Sequence, residues 1–473
     1  MKLKGTITVF LSLILIIVLS LITAVIESAE VAAIRARTEM VMDMGLESVF
    51  AEYNRELLNK YDLYFIDTAY GTGNPSISNT GEHLRSYMEY NFEPAKGTMI
   101  FNSADLMGIK IKKAEILSAS YATDYCGRVF KRQAIQAIED IYGISAAKTM
   151  AEKTKKLGKI YEDSGIENYD AEKRQQELEE KLSDIEYKIP ENPAAHAFDD
   201  KSGMLGFILE DRGSISDKTF NLCDLVSHRT INEGIGMIKP TEDPDSVLNE
   251  LLFDEYLGEK CSCYTDNNGH KAMAYELEYI LNGKNTDKAN LRETVNKIMI
   301  IRYASDAMFI LSNDKRKNEI KPVIEIITAL LLLPDAAAEV LTDLILMGWA
   351  YGESVSDVKR LLAGEKVPIV KNEDDWKTGL ADLIDIKHNT HATGSSGEGI
   401  SYGQYLKIFL TLEDKTTKCM RAMDVIELNI RQSDGNHDFR IDGCAEYVDA
   451  YAEIKAKDQY EYSIERKYSY MTD

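Results

Sequence analysis

The chain has 473 residues, 44% of them apolar and 28% charged, with a formal net charge of −23. That length supports a sizeable core split over two or three subdomains. The acidic balance argues against nucleic acid or an anionic membrane surface as the partner of the bulk of the chain, and favours a soluble, well-solvated head.

Lys2, Lys4 and Gly5 lead into an apolar run, 6–26, without a single charge. At ~1.5 Å per helical residue the run spans about 30 Å, the thickness of a bilayer's hydrocarbon core. Apolar positions then recur at Val31, Ile34, Val41, Val49, Tyr53 and Leu57, while Glu27, Arg35, Glu39, Asp43 and Glu47 take other faces. This spacing predicts one helix that is transmembrane over 1–26 and continues as an amphipathic stalk over 27–61. A cleaved secretory signal ending near Ser28-Ala29 is the alternative, but its apolar region would be shorter. The two lysines before the run, with Glu27 and Glu30 after it, place the amino terminus in the cytoplasm and the head outside the cell membrane.

Residues 62–126 read as a membrane-proximal β region. The stretch 61–68 alternates as a strand, 71–81 is a Gly/Ser/Asn/Pro loop, and 109–121 alternates with a change of parity at Lys112-Lys113 that marks a bulge. A Lys- and Glu-rich helical hairpin follows over 127–190, divided at Ser164-Gly165. The head, 191–435, is predicted mainly helical, with turns and short strands at most over 190–243, 227–229 among them. Helices are expected at 247–257, 272–281, 288–312, 322–333 with Pro322 in its first turn, 335–362 and 402–431. The segment 323–333 is too short to cross a bilayer, 367–376 reads as extended, and 385–399 as a polar loop.

The last segment, 436–473, is a β hairpin. Tyr460, Tyr462, Ile464, Tyr468 and Tyr470 share one parity, broken by Arg466, which predicts a strand with an aromatic face. Strands near 63, near 115 and at the carboxyl end are expected to form one small antiparallel sheet. The fold class is therefore α+β: a single transmembrane helix, an amphipathic continuation and a mainly helical extracytoplasmic head.

Chemistry-bearing patterns are few. His388 and His391 beside Asp385 are the most metal-like group, but a Gly/Ser loop suits ligands three apart poorly. Asp434, Asn436 and Asp438 begin like a calcium loop, yet Phe439 and Ala445 occupy the positions of its glycine and glutamate, so a turn is expected. Asp266 to Gly269 reads as another turn, and Gly394 to Gly397 lacks the helix start and lysine of a phosphate cradle. No nucleotide-binding loop, serine elbow or zinc-protease signature is present. Cys126, Cys223, Cys261, Cys263, Cys419 and Cys444 read as buried or incidental thiols, with one or two disulfides as the alternative. No cofactor, metal site or catalytic constellation is expected.

The start Lys4-Gly5-Thr6-Ile7-Thr8-Val9-Phe10 resembles the amino terminus of pilin-like proteins of the Tad (tight adherence) branch of type IV pili, notably TadE-type pseudopilins. That resemblance implies cleavage by a prepilin peptidase after Gly5, leaving Thr6 first, and a glutamate that would stand at Phe10; its absence favours an accessory component over a filament subunit. Further along, 275–284, Asn290-Leu291, 349–354, Asp357-Val358, Leu361-Leu362, Gly364 and 402–431 resemble an uncharacterised bacterial family of membrane-anchored proteins, a domain of unknown function associated with Tad-like pilus or secretion loci. The combination implies a non-catalytic, membrane-anchored component of such an apparatus; a tethered surface protein that binds an envelope or extracellular partner is the alternative, and an extracytoplasmic enzyme comes after both. Ala29, Val31, Ala33, Ile34 and Val41 form a candidate helix-bundling face, level with the reading that they pack on the chain's own head.

Overall fold

The computed structural model describes residues 4–92, 108–183, 208, 215–235, 246–266, 271–380 and 399–471, with the backbone alone at 4–6, 182 and 458. Thirteen helices and a four-stranded antiparallel sheet make up the described residues, as the α+β expectation requires. Two compact units are present: unit 1 (Met1–Gln133, Thr230–Asp243, Ile430–Asp473) and unit 2 (Ala134–Arg229, Pro244–Asn429).

Unit 1 begins with α1 (Lys4–Phe50), a single helix through the apolar run and into the amphipathic stretch. It ends at Phe50, not at 61. Asn54 starts a separate helix, α2 (Arg55–Tyr61), by accepting from the N–H groups of Glu56 and Leu57 at 3.0 and 3.1 Å. The periodicity carried on through Tyr53 and Leu57, so the capping asparagine was the stop signal that mattered. The strand expected over 61–68 shrinks to β1 (Ile66–Asp67).

The loop expected over 71–81 gives way to α3 (Ile77–Phe92), which was not foreseen. Its glycine is a contact point: a Cβ at Gly81 would lie 3.6 Å from the Cα of Glu115, and one at Gly45 of α1 would lie 3.0 Å from Leu84 Cδ1. Both helices therefore approach their neighbours where a side chain is missing.

In the sheet, β3 (Cys444–Lys455) is central. One edge pairs with β2 (Lys110–Tyr121), from Lys110↔Lys455 to Tyr121↔Ala445, and the first irregularity falls between Ile111 and Lys113, where the parity change predicted a bulge. The other edge takes β4 (Glu461–Ser469) and, beyond it, β1. Residues of α1, α3 and the sheet share one core, which includes Ile34, Val41, Met42, Leu46, Val49, Leu84, Met88, Val448, Ala452, Ile454 and Ile464, with Tyr460, Tyr462, Tyr468 and Tyr470 packed against it.

Unit 2 contains the second half of α4 (Asp124–Tyr142), from Ala134 onward, then α5 (Ile144–Asp163) and α6 (Ala171–Ser183), divided at Ser164-Gly165 as expected. It continues with α7 (Val247–Lys260), α8 (Glu276–Asn282), α9 (Asp287–Leu311), α10 (Asp314–Leu331), α11 (Asp335–Leu362) and α12 (Tyr402–Leu412), and holds all but the last two residues of α13 (Lys415–Arg431). Pro322 sits inside α10, not in its first turn, because Asn313 caps the helix eight residues earlier than the proline suggested. The helix expected over 402–431 is two, since the Asp414 carboxylate accepts from the Thr417 N–H at 2.8 Å and restarts the chain. Residues 227–229 form a turn, and among the described residues 367–376 pairs only at the bridge Val367↔Ile400.

Candidate functional site

Three polar networks stand out among the described residues. The first is the seam between α1 and β4 in unit 1. Arg35 Nε donates to the Tyr460 hydroxyl at 2.7 Å and its guanidinium faces the Tyr462 ring at 5.6 Å. One turn on, the Tyr462 hydroxyl donates to Glu39 at 2.9 Å, and Arg466 Nε reaches Asp43 at 3.1 Å. At the top, Phe50 lies 4.5 Å from Tyr468 and 4.7 Å from Tyr470, ring to ring, and the Tyr470 hydroxyl donates to the Phe50 carbonyl. The aromatic parity of the carboxyl-terminal strand is thus spent on α1, and Arg466, which broke that parity, meets acids on the same helix.

The candidate residues of α1 separate here. Gly5 and Thr6 lie in its first turns; Ala29 is exposed, Val31 and Ala33 are half-buried, and Ile34 and Val41 are buried in the core of unit 1. Those two are therefore packed on the chain's own head and are unavailable to a helix bundle.

The second region is a closed ion network in unit 2. Arg302 and Asp306 sit four apart on α9, Glu353 and Asp357 four apart on α11, so each pair shares a helix face. Arg302 contacts Asp357 Oδ2 at 2.6 Å, Asp306 Oδ1 at 2.9 Å and the carbonyls of Pro368 and Ile369 at 2.6 and 2.9 Å. Lys371 pairs with Glu353 and lies 2.7 Å from Asp357. Ser354 donates to Asp306 at 2.8 Å, while Glu353 also accepts from the N–H groups of Lys377 and Thr378. Trp376 covers the Lys371 ammonium at 5.4 Å, and the Arg316 guanidinium lies over Trp349 at 5.0 Å.

Electrostatics follow from full burial. Burial pushes the Asp306 carboxyl up, to about 6, against the pull of Arg302 and Lys371. Burial alone would raise Glu353 too, but Lys371 and Thr378 outweigh it and hold that carboxyl below its ordinary value. Arg302 would lose its proton more readily by burial, and the carboxylates of Asp306 and Asp357 reverse that. Every charge is used on a neighbour, so the network clamps the 367–378 segment between α9 and α11.

A further group of buried carboxylates surrounds α8. Glu276 accepts from Ser262 N at 2.6 Å, Lys271 at 2.6 Å and Asn429. Glu278 Oε1 accepts from Tyr264 N and the Tyr402 hydroxyl, each at 2.8 Å; among the described residues its Oε2 has no hydrogen-bond partner, and burial raises this carboxyl to about 7. Asp424 accepts from Ser227 and from the Tyr279 hydroxyl at 2.8 Å, with burial raising it to about 6. His228 Nδ1 lies 2.8 Å from the Ser227 hydroxyl, but the serine stands between the acid and the histidine, an order that does not activate a nucleophile.

Among the described residues no group of three or more His, Cys, Asp and Glu is placed to hold a metal ion. His388, His391 and Asp385 lie outside the described residues, as do Asn267 to Gly269 and Gly394 to Gly397. Asp434, Asn436 and Asp438 lie in turns, with Asn436 bonded to Asn54 at 2.9 Å. All six cysteines are free thiols, four of them buried.

A family described as one of unknown function, DUF5702, matches residues 183–456, more than half of the chain. The chain belongs to this family. No curated protein and no solved structure matches it. Most of the residues that carried the second resemblance lie in the DUF5702 region as buried groups of unit 2: Glu276 and Glu278 on α8, Glu353, Ser354 and Asp357 on α11. The ion network itself was not foreseen; its signal was the pair of i, i+4 charges set within apolar helix faces.

Proposed function

We propose that the protein is a non-catalytic, single-pass, membrane-anchored component of a Tad-like pilus or secretion apparatus, with its amino terminus in the cytoplasm and its head outside. The observation that carries the reading is the change along α1. From Ile7 to Ile26 every side chain is exposed, Phe10 by 64%, and the helix is long and apolar enough to cross a bilayer; from Ile34 onward the same unbroken helix is the core of unit 1. A head fixed to its own anchor, without a flexible linker, suits a subunit that must transmit position or force along an assembly. Lys4-Gly5 supports a pseudopilin-like origin, and Phe10 in place of the assembly glutamate supports an accessory role.

The test is the mature amino terminus, read by mass spectrometry from membranes that contain a prepilin peptidase. A chain that starts at Thr6 is the expected result. An intact Met1 would leave a plain anchor, and a start near Glu30 would remove the anchor altogether.

A further inference from the structure

Helix α10 carries apolar residues on two faces. Ile320 and Ile324 belong to its buried face, and the helix packs on α11. The other face, Val323, Ile326 and Leu330, recurs at intervals of three and four and is bare, Ile326 by 60% and Leu330 by 76%. Leu331 and Leu332 extend this strip to the end of the helix. Leu332 is the C-cap, at φ 54, and is 90% exposed. That left-handed conformation costs a leucine about 1–2 kcal/mol, which the glycine usual at such an end does not incur. The side chain held there contributes almost nothing to the packing of its own chain.

These five side chains expose as much surface as three whole aliphatic residues, roughly 500 Å². A homodimer interface of standard size takes ~800 Å² from each partner, about two-thirds of it apolar, and so needs the same amount. The strip is a ridge on a helix, so it encloses no small ligand. A bilayer suits it poorly. From Pro322 to Glu339 there is no Lys, Arg, Tyr or Trp to hold the segment at the headgroups, and the exposed acids Asp335 and Glu339 follow the leucines closely. What fits a helical ridge with apolar residues at i, i+3 and i+7 is another helix with the same pattern. The α10 of a second copy has that pattern. A net charge of −23 sets copies of this chain against one another in general, but the strip is free of that repulsion. Between Pro322 and Pro334 the one charge is Glu325, roughly 140–160° round the helix from Val323 and Leu330.

We propose that α10 pairs with α10 of a second copy of this chain in an isologous contact. Val323, Ile326 and Leu330 of each helix lie against those of the other, and Leu331 and Leu332 close the end of the contact. Two α10–α11 hairpins joined in this way make four packed helices, the arrangement in which the second apolar face of a hairpin is ordinarily buried. The contact lies wholly within unit 2 and does not depend on the anchored reading of α1.

The full chain, with the exposed Cys126 and Cys223 replaced by serine, is purified and reconstituted in phosphatidylcholine liposomes, so that no other protein is present. Leu330→Cys is then treated with a bis-maleimide that spans roughly 8 Å, the spacing of packed helix axes. It should run mainly as a covalent dimer, whereas Lys159→Cys, exposed on α5, should stay monomeric. Adding Ile326→Asp to Leu330→Cys should abolish the dimer and leave the emission of Trp349 and Trp376 in unit 2 unchanged. A dimer yield from Leu330→Cys no greater than from Lys159→Cys overturns the proposal. An environment-sensitive dye on Leu332→Cys then says what takes its place. Blue-shifted emission without a dimer assigns the strip to the bilayer, unshifted emission assigns it to a partner other than this chain, and either result overturns the pairing of copies.

Discussion

Replacing Glu278 by glutamine should change how stability depends on pH. Buried on α8, the carboxyl rises from its ordinary 4.5 to about 7 because desolvation disfavours the charged form. A rise of about two and a half pH units, at ~1.4 kcal/mol each, is worth about 3 kcal/mol. The sign is fixed by which state keeps its proton. Below pH 4.5 folded and unfolded chains are both protonated, and the group costs nothing. Between 4.5 and 7 the folded state holds a proton that the unfolded state has released, so stability falls as pH rises, and above 7 the full loss of about 3 kcal/mol is present. Glutamine keeps an oxygen for Tyr264 N and the Tyr402 hydroxyl and puts a donor where the protonated acid carries one, so it reproduces the neutral form at every pH. Both tryptophans, Trp349 and Trp376, belong to unit 2, so their emission during urea unfolding of the full chain in detergent reports this unit. The parent should lose about 3 kcal/mol more than Glu278→Gln between pH 4.5 and 8. Parallel curves for the two proteins would refute the account of this carboxyl.

Arg302→Met strips the buried carboxylates of Asp306 and Asp357 of their shared guanidinium and should destabilise unit 2 by about 3–5 kcal/mol, read by the same emission; a loss below about 1 kcal/mol would mean that the network is not closed. Removing residues 1–26 takes away no buried side chain among 7–26, so the remainder should be soluble without detergent and keep its circular dichroism, and insoluble aggregate would contradict the packing of α1. A fragment limited to 183–456 retains β3 but none of β1, β2 and β4, and it should show no protected amides over 444–455 by hydrogen exchange; protection there would mean that the strand finds partners within the fragment.

Periodicity was a good guide wherever a segment had one wet face. The α1 pattern, the bulge in β2 and the tyrosine parity of β4 were all legible, because alternation or a 3.6-residue repeat records which side meets the core. Helix ends were less so: Asn54, Asn313 and Asp414 set boundaries through single side-chain bonds, which hydrophobic spacing does not register. Helix α3 was hidden for another reason. Pro75, Ser76, Asn79 and Gly81 have turn-like composition, and the helix that nevertheless forms there is held by burial of Ile77, Leu84, Met88 and Phe92. The ion network was illegible because Arg302 and Lys371 are 69 positions apart in sequence, and nothing local says that they share the same carboxylates.

Family membership and the anchored reading rest on different parts of the chain, and β3 is where they join. The DUF5702 region ends at 456, so it includes the central strand of the sheet but not the strands on either edge of it, nor the helix that covers its apolar face. A strand with Ala445, Val448, Ala450, Ala452 and Ile454 on one side cannot stand alone in water: its two edges need hydrogen-bond partners and its apolar side needs a cover. In this chain the cover is α1 together with α3, and α1 is the helix whose other half is bare and apolar. The buried carboxylates of α8 and α11 fix the geometry of unit 2, whereas the requirement of β3 for a covering helix is what ties the family region to the apolar segment at the amino terminus.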